Sequence, residues 1–577
     1  MARRQKERDV EKDPNREYDL GVKPEGDPEG ISGTEFESIR TREPASQSRP
    51  HLSSSHSLRG SSDRSIKRSI SLTRSQNGYG CDDYLPEDDG EFKSLPGTAH
   101  PARDDKDPFD VGFEGGETDP TCPRSMSKVR KWIIVIIVSL GSFCVTAASS
   151  IYSSTYAQMN AEFGTSRIVA TLGLSLFVLG ISFGPMMLSP LSEFYGRRPI
   201  YIVAWSLYLI WTIPSAVAKN IETMLIARFF TGLSGSAFLA VSGGTVGDLF
   251  NKQDLQAPMI LWSLAPFCGP ALGPTLGGFI NYFTNWRWTY YVLIIWAFVM
   301  LVAIVCIVPE TYHPVVLRAK ARKIRKETGD ERWKAPMEKT DKSIARTIGL
   351  SLLRPFQLLF FEMMVLNLCI LTALLLGVLY LFFGAFPLVF STTYGFNLWQ
   401  VGLAFNGIIA GMVIAATSDP LWQRIRNRLV ARLEMESGVE SSSEPEFRLP
   451  PVVCGSVLVT IGLFIFGWTL FPWVHWIAPI IGSAVFGAGT LLVFSGVFTF
   501  LVDAYPLYAA SALAANAFTR CLFAAAFPLF GNQMYERLGY PWATSVLAFA
   551  TLAMLPFPYI FFRYGKRIRS RSRFAAG

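Results

Sequence analysis

Residues 269–280 read Gly-Pro-Ala-Leu-Gly-Pro-Thr-Leu-Gly-Gly-Phe-Ile and lie inside a long apolar stretch. Two Pro and four Gly among twelve residues would break a helix in water, because Pro costs about 3 kcal/mol and Gly about 1 kcal/mol relative to Ala. In a bilayer the backbone has no water to bind, so the segment stays helical and neighbouring groups satisfy the freed carbonyls. We therefore predict a membrane helix that Pro bends and that Gly allows to lie close to a partner helix.

The composition extends this prediction to the whole chain. Its 577 residues are 50% hydrophobic and only 17% charged, whereas soluble proteins have about 25% charged residues. A membrane-spanning helix needs about 20 mostly apolar residues. We predict twelve such spans, in an all-α integral membrane fold of two pseudo-symmetric six-helix bundles. The predicted spans are 132–153, 168–189, 200–219, 223–247, 258–281, 289–309, 364–390, 400–420, 450–470, 476–501, 508–531 and 541–562.

The polar segments predict how the chain divides into domains. Residues 1–128 are rich in Ser, Arg, Asp, Glu, Gly and Pro and poor in aliphatic residues, a composition typical of disorder. We expect a six-helix bundle at 129–311, a basic linker at 312–355, a second bundle at 356–563 and a basic tail at 564–577.

The charged loops predict the orientation. Arg197 and Arg198 follow the second span, and Lys- and Arg-rich segments follow spans six, eight and twelve, all on one side of the membrane. Because basic loops stay in the cytoplasm, we predict that both termini lie there. We expect a multi-pass protein of the plasma membrane, which suits basic inner loops and a long polar tail.

Two segments at the inner ends of spans echo each other. Residues 193–198 place an acid a few residues before Arg after span two, and residues 419–424 do the same after span eight. This similarity suggests duplication. Paired halves with a binding site between them near the midplane are a known transporter plan.

Three segments resemble the major facilitator superfamily, and within it the twelve-span drug:proton antiporters of the fungal multidrug and toxin exporter type. Residues 189–198 are similar to its inner gating motif, from which Ser189 and Phe194 depart. Residues 228–232, Arg-Phe-Phe-Thr-Gly, are similar to its span-four motif. Residues 269–278 fit its span-five antiporter motif at every defined position.

The resemblance covers about residues 130–565 and implies a function. It implies that the two bundles expose a shared cavity alternately to each side, and that the protein exports drugs, fungicides or toxic metabolites in exchange for protons. A charge latch would hold the inner face closed. Its predicted members are Glu193, Gly196, Arg197, Arg198 and Asp248. The alternative is a solvated loop that obeys the positive-inside rule.

Two arginines lie inside predicted spans, where a charge costs about 2.5–3.5 kcal/mol even on insertion scales. For Arg228, near the outer end of span four, the resemblance implies a role in the proton step; the alternative is a side chain that snorkels outward. Arg520 lies about midway through span eleven, with Asn516 one turn away. We predict that it acts in substrate binding or gating, or else packs beside a file of water.

The span-five glycines and prolines form a third candidate site. Two Gly-Pro pairs four residues apart exceed what tight packing alone requires, so we predict a role in gating or in sealing the pathway. The residues are Gly269, Pro270, Gly273, Pro274, Gly277 and Gly278.

Aromatic and amide side chains inside the spans are candidates for the substrate pocket. A mainly aromatic and apolar lining suits bulky apolar or amphipathic molecules, including cations. The candidates, besides Arg520, are Tyr152, Tyr156, Trp262, Phe267, Phe382, Asn406, Phe498, Asn516 and Phe518. The interiors of spans one, two and five contain no carboxylate, so the resemblance alone implies proton coupling.

The sequence offers less support for an importer, a sensor or a membrane enzyme than for an exporter. A nutrient importer is disfavoured by the span-five motif, and a transporter-derived sensor is suggested only by the tail. None of the five His lies in a span, so no His-rich metal site is available to a membrane enzyme, and no phosphate-binding G-x-x-x-x-G-K-[ST] loop occurs. We predict a monomer that is not an enzyme, without cofactor, metal or nucleic acid, whose partners are a small-molecule substrate, protons and the lipid bilayer.

Overall fold

In the part of the chain that the computed structural model describes, twelve helices are long and apolar enough to cross a membrane, which confirms the predicted number. The structure describes residues 109–113, 119–251, 254–339, 344–437, 444–506, 508–570 and 572. Over these residues it is all-α apart from an isolated bridge between Asp110 and Lys334. Spans 1 to 12 are Lys128–Phe163, Arg167–Tyr195, Arg197–Ala216, Ile221–Leu249, Ala257–Phe283, Arg287–Ile307, Met363–Tyr394, Leu398–Glu436, Pro445–Trp468, Ile477–Ala504, Ala509–Leu538 and Tyr540–Arg569.

Span 1 is interrupted in its interior. Its α-helix Lys128–Ser150 gives way to a 3₁₀ turn, Ile151–Thr155, and then to the short helix Tyr156–Phe163. Hydroxyl groups cause the change, because Ser149 donates to the Thr146 carbonyl (2.6 Å) and neighbouring Ser and Thr side chains bond back in the same way. Such bonds compete with regular helix hydrogen bonding. The interruption lies where span 1 meets span 5.

The ends of the spans can be told apart by charge. We call the end at which Arg197 begins span 3 and Arg569 ends span 12 the basic end, and the other the opposite end. Spans 1–6 form one half and spans 7–12 the other. Span 2 packs against span 11 and span 5 against span 8, and these two pairs join the halves.

Hydrogen bonds between the halves lie toward the opposite end in the described part of the chain. Arg167 donates to the Gly384 carbonyl (3.3 Å), where span 2 meets span 7. Thr275 of span 5 donates to the Gly402 carbonyl of span 8 (2.8 Å). Ser175 of span 2 donates to the Ala525 carbonyl of span 11 (2.6 Å). This conformation is therefore closed at the opposite end.

The linker between the halves is structured and holds part of the polar tail. It contains the helices His313–Thr328 and Ile344–Phe361 and a 3₁₀ turn, Pro336–Lys339. A small apolar cluster, separate from the cores of the two halves, forms around the linker helix His313–Thr328. It consists of Val111, Phe113, Cys122, Leu317, Ala321 and Ala335.

The structure differs from the expectation of disorder at residues 109–113 and 119–127. Asp119 forms a salt bridge with Lys320 of the linker (2.9 Å), and Val111 and Phe113 are buried. Val111, Phe113 and Cys122 pack against the linker helix His313–Thr328. The tail as a whole is nevertheless too polar to form a core of its own. The remainder of the predicted tail lies outside the described residues.

Candidate functional site

Arg228 is buried inside the N-terminal half and does not snorkel. Its side chain is only 2% exposed. The guanidinium donates to the backbone carbonyls of Ala148 (2.9 Å) and Ser149 (3.3 Å), near the end of the long helix of span 1. Tyr152 and Phe177 cover it, with their ring centres 4.4 and 4.2 Å from the guanidinium carbon. A helix C-terminus carries partial negative charge, so the carbonyls act in place of a carboxylate.

The end of the α-helix just before the interruption in span 1 also contacts the other half. The Ser149 hydroxyl lies 2.9 Å from the Tyr380 hydroxyl of span 7. Tyr156, the second predicted tyrosine, packs edge-on against Tyr152, 5.3 Å between ring centres. Arg228, Tyr152 and Tyr156 are thus brought together, as parts of a support for span 1 rather than as an open pocket.

One face of the span-5 motif packs against the same interruption. A Cβ added to Gly273 would lie 2.7 Å from the Ala147 carbonyl oxygen and closer still to the Ser150 hydroxyl. A Cβ on Gly277 would lie 2.8 Å from the Ile151 side chain. Distances under 3.0 Å leave no room for a side chain, so these glycines allow the backbones to touch.

The other face of the motif meets the C-terminal half. A Cβ on Gly278 would lie 2.8 Å from the Leu398 carbonyl oxygen of span 8, and one on Gly402 would lie 2.6 Å from the Pro274 carbonyl oxygen. Thr275 bonds both Gly402 and Asn406 across this contact. Span 5 therefore touches span 1 of its own half and span 8 of the other half along a single helix.

Arg197 and Asp248 form the centre of the predicted latch. The Arg197 Nε lies 3.3 Å from an Asp248 carboxylate oxygen, and both side chains are nearly buried. The guanidinium also donates to the Ser192 hydroxyl (2.6 Å) and lies 4.7 Å from the Tyr312 ring centre. These contacts join spans 2, 3 and 4 within the N-terminal half.

The carboxylate that binds the turn between spans 2 and 3 is Glu310, whereas Glu193 is exposed. Glu310 accepts backbone N–H bonds from Arg197 (2.8 Å) and Arg198 (3.1 Å). It also accepts bonds from the N–H groups of Thr311 and Tyr312. The signal in the sequence was an acid directly after span 6, next to a turn that needs acceptors.

Gly196 explains why Glu310 can come so close. Its φ is 102°, a conformation that side chains disfavour. A Cβ there would collide with the Glu310 carboxylate. Gly196 thus makes room for Glu310, and Arg198 binds Glu310 through its backbone N–H. The Arg198 guanidinium donates to the Val305 carbonyl of span 6 (2.9 Å).

The C-terminal half has an equivalent pair that the sequence comparison missed. Arg448 near the start of span 9 binds Asp503 at the end of span 10 (2.8 Å), just as Arg197 at the start of span 3 binds Asp248 at the end of span 4. The predicted counterpart used Asp419, which instead accepts from Gln423 one turn away. The feature common to the two halves is an ion pair between two spans, and no single segment of the sequence contains both of its members.

An aromatic cluster with one cation spans the two halves. The ring of Phe267 in span 5 stacks on Phe494 (5.1 Å) and Phe498 (6.4 Å) of span 10. The guanidinium carbon of Arg520 lies 4.8 Å from the Phe498 ring centre and 5.3 Å from that of Phe494. The structure brings the predicted Phe267, Phe498 and Arg520 together and adds Phe494.

Other predicted pocket residues lie apart from this cluster. Phe382 is fully buried between Phe386, Phe466 and Phe486 in the interior of the C-terminal half, because it faces its own bundle. Phe518 packs edge-on against Phe183 of span 2 and Phe356 of the linker.

The remaining polar candidates have defined surroundings. Asn516 is buried and donates to the Thr372 hydroxyl of span 7 (2.7 Å), while its Oδ1 has no partner. Trp262 packs against Gly243 of span 4, and its indole N–H lacks a partner. In the described part of the chain, no group of three or more His, Cys, Asp or Glu is placed to hold a metal.

Comparisons with known proteins agree with this architecture. The Major Facilitator Superfamily profile matches residues 138–528. The chain belongs to the major facilitator superfamily. It is 56% identical to the Efflux pump atB of Aspergillus terreus over 81% of this chain and 90% of that one. It is 41% identical to the "Probable drug/proton antiporter YHK8" of Saccharomyces cerevisiae over 83% of this chain and 92% of that one.

Solved structures share the fold. The human organic anion transporter MFSD10 aligns with a TM-score of 0.52 and 16% identity, covering 74% of this chain and 99% of that one. The proton:xylose symporter XylE aligns with the same TM-score and 15% identity, covering 76% and 97%. At such identities the likeness shows the two-bundle fold alone.

Proposed function

We propose that this protein is a secondary exporter that removes toxic small molecules from the cell. Its curated relatives are named efflux pumps and a drug/proton antiporter. The observation that carries the proposal is the double contact of span 5, with Gly273 against span 1 and Gly278 against span 8. The glycine surface at Gly278 would let one bundle rock against the other without side chains interlocking, while that at Gly273 holds span 5 close to span 1 of its own half.

The substrate would reach the space between the halves from the basic end. Hydrogen bonds such as Thr275 to Gly402 close the opposite end. With the basic loops in the cytoplasm of a plasma-membrane protein, as the positive-inside rule predicts, this conformation would accept a substrate from inside. Opening at the opposite end would then require those bonds to break.

Proton exchange would supply the energy. One proton moving down 100 mV and one pH unit releases about 2.3 plus 1.4 kcal/mol, enough for a substrate gradient of several hundredfold. The charged pairs lie at the basic end, as Arg197 with Asp248 and Arg448 with Asp503. We assign Arg228 an indirect role in coupling, because it binds carbonyl groups of span 1 instead of an acid.

The test is deletion and overexpression scored against a panel of toxic compounds. Overexpression should raise resistance to at least one compound and lower its accumulation in cells. In de-energised inside-out vesicles, an imposed pH step should drive that compound into the lumen. An unchanged resistance profile would refute export, and transport that ignores the pH step would refute proton exchange. Accumulation that rises on overexpression would indicate an importer.

A further inference from the structure

The central cation Arg520 makes no hydrogen bond or salt bridge with any residue that the structure describes. Its Nε is buried without a partner, and the side chain as a whole is partly exposed. Span 11 runs from Ala509 at the basic end, so Arg520 lies roughly 17 Å from that end. A charge at this depth is costly unless it is paired or functional.

The surroundings of Arg520 offer no negative charge. Spans 5, 7, 10 and 11 contain no Asp or Glu except near their ends, such as Asp503 and Glu536. Asn516, one turn away, already donates to Thr372. The second interior arginine, Arg228, uses carbonyl groups of span 1. The central part of the protein is therefore positive.

The ring contacts leave the hydrogen-bonding edge of the guanidinium available. Phe494 and Phe498 lie beside its carbon atom, and ring faces accept no conventional N–H bond. A planar guanidinium presents pairs of N–H groups that match the two oxygens of a carboxylate. Phe267, stacked on the same rings, comes from the other half of the molecule. An anion here would touch both halves, where transporters bind their cargo.

We propose that Arg520 is a substrate-specificity residue that binds the carboxylate of an organic anion, with the aromatic part of the substrate against Phe267, Phe494 and Phe498. This inference rests on the proposed exporter function and narrows its substrate from amphipathic molecules in general to aromatic carboxylates. A cationic substrate would add a third positive charge to a centre that already holds Arg228 and Arg520, so cations are disfavoured.

The test is binding of three molecules that share one ring system and differ in charge. These are 2-naphthoate, the neutral 2-naphthamide and the cation 2-naphthylmethylammonium. Binding is measured to the full chain in lipid nanodiscs at pH 7. Because charge-assisted hydrogen bonds are about twice as strong as neutral ones, we expect the carboxylate to bind at least tenfold more tightly than the amide.

The variants separate a role of Arg520 in binding from a role in folding. Arg520→Gln should abolish the preference for the carboxylate. Arg520→Lys keeps the positive charge but lacks the paired N–H groups of a guanidinium, and it should retain part of the preference. Arg424→Gln removes an exposed arginine outside the central region and serves as the matched control. If Arg520→Gln does not yield a folded protein, Arg520→Lys and Phe498→Leu still test the preference.

Two results would overturn this inference. One is equal or weaker binding of the carboxylate compared with the amide in the wild-type chain. The other is a carboxylate preference that survives in Arg520→Gln. These outcomes differ from failure of the exporter function, which is judged by cell resistance. A chain that confers resistance in cells, while Arg520→Gln still prefers the carboxylate over the amide, would keep the exporter function and lose the anion site.

Discussion

The Arg228 guanidinium donates a hydrogen bond to the Ala148 carbonyl oxygen, 2.9 Å away, close to where the α-helix of span 1 ends. The last carbonyls of a helix have no partner within it and carry partial negative charge. The buried cation and the helix end thus stabilise each other. Because Ser149 of the same segment contacts Tyr380, Arg228 supports a contact between the two halves.

Replacing Arg228 should impair both stability and transport. Hydrogen bonds to charged groups contribute about 1.5–3 kcal/mol each, and Arg228→Ala removes two of them while leaving buried carbonyls unpaired. We expect efflux to fall at least tenfold and the melting temperature of the purified protein to drop. Arg228→Lys should recover part of the stability but little transport, since a single ammonium cannot form the same fork.

The matched control for Arg228 is Arg287→Gln. Arg287 pairs with Glu162 at a partly exposed site, where a salt bridge contributes about 0–1 kcal/mol. Its efflux should stay close to that of the wild type. Efflux by Arg228→Ala at the wild-type rate, at equal protein levels, would contradict the role given to Arg228.

The span-5 glycines should tolerate no side chain. In Gly273→Ala the new methyl group would meet the Ala147 carbonyl oxygen at 2.7 Å, and overpacking of this kind costs about 1–3 kcal/mol. Gly247→Ala in span 4 has nothing within 4 Å of the added atom and should be neutral or slightly stabilising. Thermal unfolding and efflux of the two variants, compared side by side, check the difference. Equal stability and efflux of Gly273→Ala and Gly247→Ala would mean that span 1 can move away from span 5 at little cost.

The sequence predicted these contacts because Gly, Pro and buried charge leave direct local signals. Span number follows from apolar length, and close packing at Gly273 follows from the spacing of small residues. What the sequence could not predict is which partners meet across many spans. Glu310 lies 113 positions from Arg197, and Arg448 lies 55 positions from Asp503, so only the folded bundle identifies these pairs. The surroundings of Phe382 could not be predicted for a related reason, since a helix buried on all sides has no face that marks the pocket.

Glu310 should matter more than Glu193. Glu310→Gln keeps the size of the side chain but replaces one acceptor oxygen with an NH₂ group, so the backbone N–H groups of Arg197 and Arg198 lose a charged partner. Losing one such bond costs about 1.5–3 kcal/mol. Glu193→Gln changes an exposed side chain and should have a much smaller effect on efflux and thermal stability. The reverse order would make Glu193 the carboxylate on which the turn between spans 2 and 3 mainly depends.

The contact between the tail and the linker should withstand physiological changes in pH. Burial raises the pKa of Asp119, but hydrogen bonds from Thr121 and Lys320 outweigh this and lower the pKa to about 2, from 3.8. A lowered pKa in the folded state means that the stabilisation is present above about pH 4 and is lost as the pH falls towards 2.

Thiol labelling of the buried Cys122 reports on this contact. Labelling of Cys122, quantified by mass spectrometry and divided by the rate for a free thiol at the same pH, should be slow and constant between pH 6 and 8 in the wild type, since the thiolate is the reacting form. Asp119→Asn lacks the charge at every pH and should label several-fold faster at pH 7, with Glu327→Gln, at an exposed position of the linker helix, as the control. Equal labelling of Cys122 in Asp119→Asn and wild type would show that Asp119 does not hold the tail.

Gly278 and Gly402 should control which end of the protein is open. Each lies against a carbonyl of the other half, with an added Cβ at 2.8 Å from Leu398 and 2.6 Å from Pro274. An added methyl group therefore penalises the closed arrangement at the opposite end. A penalty of about 1–3 kcal/mol shifts the ratio of the two conformations by roughly 5- to 150-fold.

Spin labels at Ser166 and Glu536, two exposed positions at the opposite end on different halves, measure this shift by their separation. In Gly278→Ala and Gly402→Ala, the distance distribution should move to longer values and efflux should fall, because the protein resists closing there. Gly247→Ala should match the wild type in both measurements. Unchanged distances in Gly278→Ala and Gly402→Ala would mean that the contact between span 5 and span 8 does not set the conformational equilibrium, since a wedge placed in a contact that must close cannot leave the closed population intact.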